Sequence, residues 1–328
     1  MNSPAIGILG TGSAVPQQVL TNADLATRVD TEPEWILMRT GIRERRIADA
    51  QTASSDLAVV AAQNAIAAAG VAPADIGIVI CATVTPDTMF PATACLVQDR
   101  IGARHAAAFD LSAGCSGFIY GLACAVPMLQ AGLHRYALVI GVDTLSKITD
   151  YRDRATCVLF GDGAGAVVLG PVGAGRGFLA FELGADGSGG PLIRQEAGGS
   201  RLPATYATVE ARKHYITMVG QEVFKFAVRI LGAAAEAVLA KAGLDIAAID
   251  LLIPHQANIR IIEAAIDRLD LPPEKAYVNL DRYGNTSSAS VPIALDEVVR
   301  SGKLRQHDLL VMVAFGAGLT WGATVMRW

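Results

Sequence analysis

A helix–turn–strand unit occurs twice in this chain at a fixed spacing. Ala69-Gly70-Val71 followed by Ile76-Gly77-Ile78-Val79-Ile80 is matched by Ala242-Gly243-Leu244 followed by Ile249-Asp250-Leu251-Leu252-Ile253, with Ala69 and Ala242, and likewise Ile76 and Ile249, 173 residues apart. A second pair of apolar strands, residues 136–142 and 309–314, follows at nearly the same shift. An internal duplication of an α/β unit restricts the chain to two like halves. The strands are apolar throughout, so both faces of each sheet are covered, which predicts mostly parallel sheets flanked by helices. The glycine-rich stretch 170–177 marks the boundary, giving halves 1–173 and 174–328.

The offset also has a chemical consequence. It sets Cys115 opposite Ser288, so two equivalent turns face one site between the halves. Residues 106–111 read as a buried strand and the apolar segment up to Ala131 as a buried helix closed by Gly132. Cys115 therefore stands where a strand turns into a helix. Free N–H groups there favour a thiolate, which predicts a lowered pKa and a nucleophilic sulfur. Taken alone, a buried structural cysteine fits the local sequence equally well.

Composition narrows the classes. Of 328 residues, 52% are hydrophobic and 18% charged, enough for a large core and far from disorder. A net charge of −4 gives nucleic acid no footing. No apolar run reaches membrane-spanning length, and residues 1–8 lack the pattern of a signal peptide. Cys81, Cys95, Cys115, Cys124 and Cys157 are scattered and odd in number, which argues for free thiols in a reducing cytoplasm and against disulfides or a zinc site.

Several stretches look functional. Gly10-Thr11-Gly12 imitates a dinucleotide loop but lacks the third glycine and is followed by Pro16. Trp35 and Arg39, four apart on a helical face, form a pair able to hold a flat charged ligand; a buried Trp with solvated arginines is the plainer reading. Met89 and Phe90 are an apolar pair within the loop 83–91, suited to a gate or an interface. The glycines of residues 160–169 lead into a strand, which suits close packing rather than phosphate binding. Residues 182–208 read as a long loop, and residues 223–242 as a long helix. In the second half, His255 follows a buried strand, Asn285 opens a probable helix, and Ala314-Phe315-Gly316-Ala317-Gly318 follows another strand. Each has a structural alternative. Together, Cys, His and Asn make a nucleophile with two neutral partners that can donate to one carbonyl oxygen, the arrangement that stabilises an enolate after decarboxylation of a β-keto acid.

The chain resembles the β-ketoacyl-[acyl-carrier-protein] synthase III family of thiolase-like condensing enzymes over essentially its whole length. The resemblance rests on Glu34-Trp35-Ile36 with Arg39-Thr40-Gly41-Ile42, Ser112-Ala113-Gly114-Cys115-Ser116-Gly117-Phe118, Phe160-Gly161-Asp162-Gly163-Ala164, Pro254-His255-Gln256-Ala257-Asn258, Gly284-Asn285-Thr286-Ser287, and the Gly316 loop before Thr320-Trp321-Gly322. It implies a layered αβαβα fold of duplicated α/β halves. It implies that Cys115 takes an acyl group, expected to be acetyl, from acyl-CoA, with the N–H groups of Cys115 and Gly316 as oxyanion hole. His255 and Asn285 would hold the thioester oxygen of malonyl-ACP while carbon dioxide leaves, giving 3-oxoacyl-ACP without a cofactor or metal. Trp35, Arg39, Arg154 and Asn258 match CoA contacts, while Phe90, reaching across a homodimer interface, and Leu319 match the primer pocket. Gln256, Lys225, Arg260 and Arg268 match the face that receives acyl-carrier protein. Neither nucleic acid nor a membrane is an expected partner.

Ala317 and Leu319 depart from the glycine and larger aromatic expected there, and Met89 alters the gate. A degradative thiolase would carry a second cysteine in residues 315–319, which have none. The elongating condensing enzymes would carry a second histidine where Asn285 stands. A plant-type polyketide synthase or specialised starter-unit synthase shares the Cys-His-Asn set. A cysteine hydrolase would need a carboxylate to orient His255, and a non-catalytic acyl-CoA binder would not need Cys115.

Overall fold

The computed structural model describes residues 4–328; residues 1–3 of the N-terminal stretch read above lie outside the described residues. In chain order the strands are β1 (Ile6–Ala14), β2 (Val19–Thr21), β3 (Glu44–Arg46), β4 (Ile76–Ala82), β5 (Ala107–Leu111), β6 (Tyr136–Thr144), β7 (Asp162–Pro171), β8 (Gly177–Ala185), β9 (Ile193–Gln195), β10 (Ile216–Met218), β11 (Leu251–Pro254), β12 (Leu309–Gly316) and β13 (Thr320–Arg327).

Two sheets carry the fold, ordered β1-β7-β6-β4-β5 and β8-β13-β12-β11. The repeat is visible in this order: β1, β7, β6 and β4 correspond to β8, β13, β12 and β11. Ala276 even bridges Leu252 in parallel, where β5 pairs with β4 in the first sheet. The sheets are mixed, which corrects the expectation of mostly parallel pairing. β4 runs parallel to β5 and β6, and β11 to β12, but β7 is antiparallel to β1 and β6 and β13 to β12 and β8. The reason lies in the connections. Only residues 317–319 join β12 to β13, and so short a loop can make only an antiparallel pair.

Helices Gly117–Gln130 and Ser290–Arg300 lie between the sheets. Phe118, Ile119 and Leu122 of the first share one core with Ile80 and Val139 from one sheet and Leu310 and Met312 from the other. Full burial stabilises each such side chain by about 1.5–3 kcal/mol, so this layer fixes the two halves against each other. Helix Ser54–Ala69 covers the outer face of the first sheet, and Gly220–Ala242, backed by Ile259–Arg268, covers that of the second. The result is the αβαβα thiolase-like arrangement. Gly10-Thr11-Gly12 lies inside β1, where a Cβ on Gly10 would stand 2.3 Å from the backbone N of Ala69; the glycine permits helix and strand to touch.

Two further expectations are corrected. Residues 182–208 are not one loop, because β8 extends through Ala185 and β9 pairs with β10. The strand β5 is not fully buried: it is the edge of its sheet, with β4 as its one neighbour, and its residues are half-buried or exposed. None of the helices among the described residues is long and apolar enough to cross a membrane.

Candidate active site

Cys115 sits in a short turn, Gly114–Ser116, between β5 and the central helix that starts at Gly117. The matching turn of the other half, Ser287–Ala289, leads into Ser290–Arg300. The two turns pack against each other, as the duplication predicts. The end of β12 closes the third side. A Cβ on Gly316 would lie 2.3 Å from the Cys115 backbone N, so only glycine lets these two backbones meet. The expected lowering of the thiol pKa is not what the site produces. Burial among apolar walls pushes the Cys115 thiol up to about 12, against a smaller opposing effect of the Ser287 hydroxyl. Desolvation outweighs the turn's N–H groups, and the resting group is a thiol.

His255 follows β11 and is fully buried, with its ring edge-on to Phe315 at 5.4 Å between centroids. Its Nδ1 lies 2.6 Å from Ser290 Oγ. That oxygen accepts a long bond from the Gln256 N–H at 3.4 Å, so the Ser290 proton is free to go to Nδ1. When the Ser290 hydroxyl donates to Nδ1, the ring proton lies on Nε2 and the imidazole is a neutral donor there. Burial lowers the His255 pKa from 6.5 to about 3. Between those values the unfolded chain binds a proton that the fold does not, so this group takes stability away as pH falls from 6.5 toward 3. Asn285 is oriented just as firmly. Its Oδ1 accepts from the Ser287 N–H at 2.8 Å, which leaves the Nδ2 hydrogens for a ligand. Its own N–H and C=O are tied to Leu159 and Gly161.

Cys115, His255, Asn285 and Gly316 line one cavity of about 90 Å³, walled by Phe160, Val223, Phe224, Ile261 and Phe315. A second cavity opens on the other side of Cys115 and is lined by Val84, Leu145, Ile148, Phe160, Ile193 and Ile216. The sulfur thus lines both cavities, one carrying the polar donors and one lined mainly by apolar side chains, with Arg194 and Gln195 beside them. Neither Phe90 nor Leu319 lines either cavity. Phe90 is 87% exposed, and Leu319 is buried against Gly189, beside Asp186 and Phe226. Leu319 packs against Gly189 and lines neither of the cavities that Cys115 lines.

Elsewhere in the first half, the Arg154 guanidinium stacks 4.7 Å from the centroid of the Trp35 ring. The partner of Trp35 is thus Arg154, not the Arg39 that local spacing suggested; the 3.6-residue period sees only neighbours in sequence. Arg39 is exposed, and its carbonyl accepts from Asn258 Nδ2 at 3.0 Å. Asn258 also caps helix Ile259–Arg268 through Oδ1 and lines the cavity.

The residues that the resemblance matched to a carrier-protein face differ among themselves. Arg260 lies over Phe224, and Lys225 pairs with the neighbouring Glu222. Arg268 holds Glu236 through two bonds of 2.9 and 2.7 Å, which neutralises much of its charge. Gln256 does not reach this face. It is buried, donates to Pro254 and Tyr277 carbonyls and accepts from the Asn279 N–H. Its amide is consumed in holding the strand end that carries His255, which corrects its assignment. Exposed Arg229 stands one turn from Lys225 and was missed. Also missed were Ser287 and Ser290, although both lie in the Asn285 motif; their partners are remote in sequence, so no spacing reveals them. Among the described residues, no three His, Cys, Asp or Glu side chains converge as a metal would need.

Comparison with known proteins places the chain in a family. The family model described as 3-Oxoacyl-[acyl-carrier-protein (ACP)] synthase III matches residues 109–187, and the model of its C-terminal part matches residues 239–328. The β-ketoacyl-[acyl-carrier-protein] synthase III of Caldanaerobacter subterraneus subsp. tengcongensis is 58% identical over 99% of this chain and 98% of its own length. That of Symbiobacterium thermophilum is 59% identical over 98% of each. The crystal structure of the Thermus thermophilus enzyme superposes with a TM-score of 0.92 at 49% identity, covering 98% of this chain and 99% of that one. With relatives this similar across the whole chain, built on the same duplicated fold, this protein belongs to the 3-oxoacyl-[acyl-carrier-protein] synthase III family of condensing acyltransferases.

Proposed function

We propose that the family reaction, condensation of an acyl-CoA primer with malonyl-ACP, runs here through Cys115, His255, Asn285 and Gly316. The observation that carries this reading is their convergence on one cavity, with Cys115 also lining a second, mainly apolar one. In the first half-reaction the Cys115 sulfur attacks the acyl-CoA carbonyl, and CoA leaves. The N–H groups of Cys115 and Gly316 take the oxyanion, which a dry site makes effective. The acyl chain lies along Val84, Leu145, Ile148 and Ile216. In the second, malonyl-ACP enters, and its thioester oxygen receives bonds from His255 Nε2 and Asn285 Nδ2. Those donors hold the negative charge as carbon dioxide departs. The enolate carbon attacks the acyl-Cys carbonyl, 3-oxoacyl-ACP forms, and the thiolate takes up a proton. A neutral His255 suits this role, because a donor is needed and no proton has to be removed. The charge in each step rests on N–H donors, so the reaction as written uses neither metal nor redox cofactor.

Trp35 and Arg154 are the proposed clamp for the adenine of CoA, with Arg39 and Asn258 nearer the phosphates and pantetheine. Stacking of a base on an aromatic ring contributes about 1–3 kcal/mol. Trp35→Ala should therefore raise KM for acyl-CoA by roughly tenfold or more while kcat holds, the pattern of lost uniform binding. Initial rates at varied acyl-CoA test this, and an unchanged KM would remove Trp35 from the site. Arg229, Lys225, Arg260 and Arg268 are the proposed landing for acidic carrier protein. The bare edge of β5, with Met89 at 79% and Phe90 at 87% exposure, supports a homodimer in which Phe90 reaches the partner. Five free cysteines suit the cytoplasm.

The test of the reading is intact-protein mass spectrometry after incubation with acetyl-CoA and longer acyl-CoAs. An acyl adduct on Cys115 that malonyl-ACP discharges to 3-oxoacyl-ACP is expected. An adduct discharged by water alone would point to a hydrolase, and no adduct with any donor would overturn the reading.

A further inference from the structure

The two N–H groups offered as an oxyanion hole stand on different elements, Cys115 on its turn and Gly316 at the end of β12. The two backbones touch. A Cβ on Gly114 would lie 2.6 Å from the Ala317 N, as one on Gly316 would lie 2.3 Å from that of Cys115. With no side chain between them, packing sets how closely the loops approach. It does not stop one from sliding along the other. Among the described residues, no backbone hydrogen bond outside regular secondary structure joins the Gly114–Ser116 turn to residues 316–319. The bonds that cross come from two hydroxyls.

Thr320, the first residue of β13, supplies one of them. Its Oγ1 donates to the Ala113 carbonyl at 2.8 Å and reaches the Ala317 carbonyl at 3.1 Å. The Ser116 hydroxyl donates to that Oγ1 at 2.8 Å or to the Ala113 carbonyl at 2.7 Å. Thr320 thus holds the residue two before Cys115 and the residue after Gly316, and fully buried Ser116 holds Thr320. The duplication shows that such a turn folds without this hydroxyl. The counterpart of Ser116, 173 residues on, is Ala289, in the matching turn before the other central helix. The hydroxyl is present in the turn that carries the nucleophile and absent from the turn that does not.

We propose that Thr320, backed by Ser116, is a positioning residue that sets the Cys115 and Gly316 N–H groups on one oxyanion. This rests on the reading of those two N–H groups given above. Two donors stabilise a single oxygen only when both aim at it, to within about 0.5 Å and 10–20°. Donors on separate elements reach that tolerance only if something ties the elements together. The Thr320 bonds end on carbonyls, so the tie uses none of the N–H groups that the oxyanion needs. It also brings no charge into a dry site, where an unpaired one would be costly. The hole serves both half-reactions, since an oxyanion forms at the acyl carbonyl in each. His255 and Asn285 serve the second alone. Loss of the Thr320 hydroxyl is therefore expected to slow acylation and condensation together.

The test uses the full-length enzyme as wild type, Thr320→Val, Thr320→Ser and Ser116→Ala. Valine keeps the shape and loses the hydroxyl; serine keeps the hydroxyl. Rapid-quench acylation by acetyl-CoA and single-turnover condensation of the acyl-enzyme with malonyl-ACP are measured separately. Thr320→Val should slow both steps by a similar factor, about 10–100-fold for a donor displaced by up to an ångström. The half-saturating acetyl-CoA concentration should not change, because ground-state binding is untouched. Thr320→Ser should return both steps close to wild type, and Ser116→Ala should show the same paired loss at smaller size. Two probes of Cys115 separate hole geometry from general damage. Butanal adds to the thiol, forming a C–S bond while the S–H proton passes to the aldehyde oxygen, which then occupies the hole. Its affinity should fall in Thr320→Val by the factor lost from acylation. Methyl methanethiosulfonate forms an S–S bond to Cys115 as methanesulfinic acid leaves, with no oxyanion, and should react at the wild-type rate. Wild-type acylation in Thr320→Val, or a loss confined to condensation, would overturn the proposal. So would a Thr320→Ser enzyme as slow as Thr320→Val, or an equal loss of methanethiosulfonate reactivity, since either means a structural role. If Thr320→Val does not fold, Ser116→Ala decides by the same comparison. Absence of any wild-type adduct would instead strike the reading of Cys115.

Discussion

Cys115→Ser is expected to leave no acyl adduct after any exposure in which the wild-type enzyme acylates completely, and overall condensation should fall to background. A serine hydroxyl ionises far less readily than a thiol, and the walls that push Cys115 up to about 12 penalise an alkoxide more heavily still. The substitution is nearly isosteric, so the thermal midpoint should stay close to wild type. Mass spectrometry of the intact protein beside a melting curve separates lost chemistry from lost fold. A serine variant that still condensed at a substantial rate would mean that the primer is held elsewhere, and the roles given to the whole cavity would fall with it.

His255→Ala should part the two half-reactions. Acylation of Cys115 is expected to survive, because the proposed oxyanion hole is built from the N–H groups of Cys115 and Gly316. Condensation with malonyl-ACP should drop by about 10²–10³-fold, the usual cost of removing one donor from a developing oxyanion. Quenched-flow measurement of the two steps, each with its own thioester, makes the comparison. Normal condensation in this variant would remove His255 from the mechanism. The pH dependence sharpens the point. A histidine with a pKa of about 3 is neutral from there upward, so the condensation rate of acyl-enzyme should show no loss of the His255 donor across the neutral range. If His255 were instead a base poised near neutrality, condensation would fall as pH dropped through its pKa, and a limb between pH 6 and 7 absent from His255→Ala would reveal it.

The duplication, the place of Cys115 at a strand-to-helix turn, and His255 and Asn285 at matching ends in the second half were legible in the sequence. Each depends on local patterns: apolar periodicity, glycine punctuation and motif order, all carried by residues adjacent along the chain. Tertiary structure decided what depends on convergence. It stacked Arg154 on Trp35, a pairing the local spacing of Trp35 and Arg39 did not show, buried Gln256, and set Leu319 outside both cavities that Cys115 lines. It reversed the expected shift of the Cys115 thiol, because desolvation is a sum over every neighbour, most of them remote in sequence. It also brought Ser288 to Asp143, 145 positions away, and Ser290 to His255, 35 positions away. A sequence states which groups exist and which lie on one face of one element. Only packing two duplicated halves together fixes which of those groups lose water, and so which proton each one keeps.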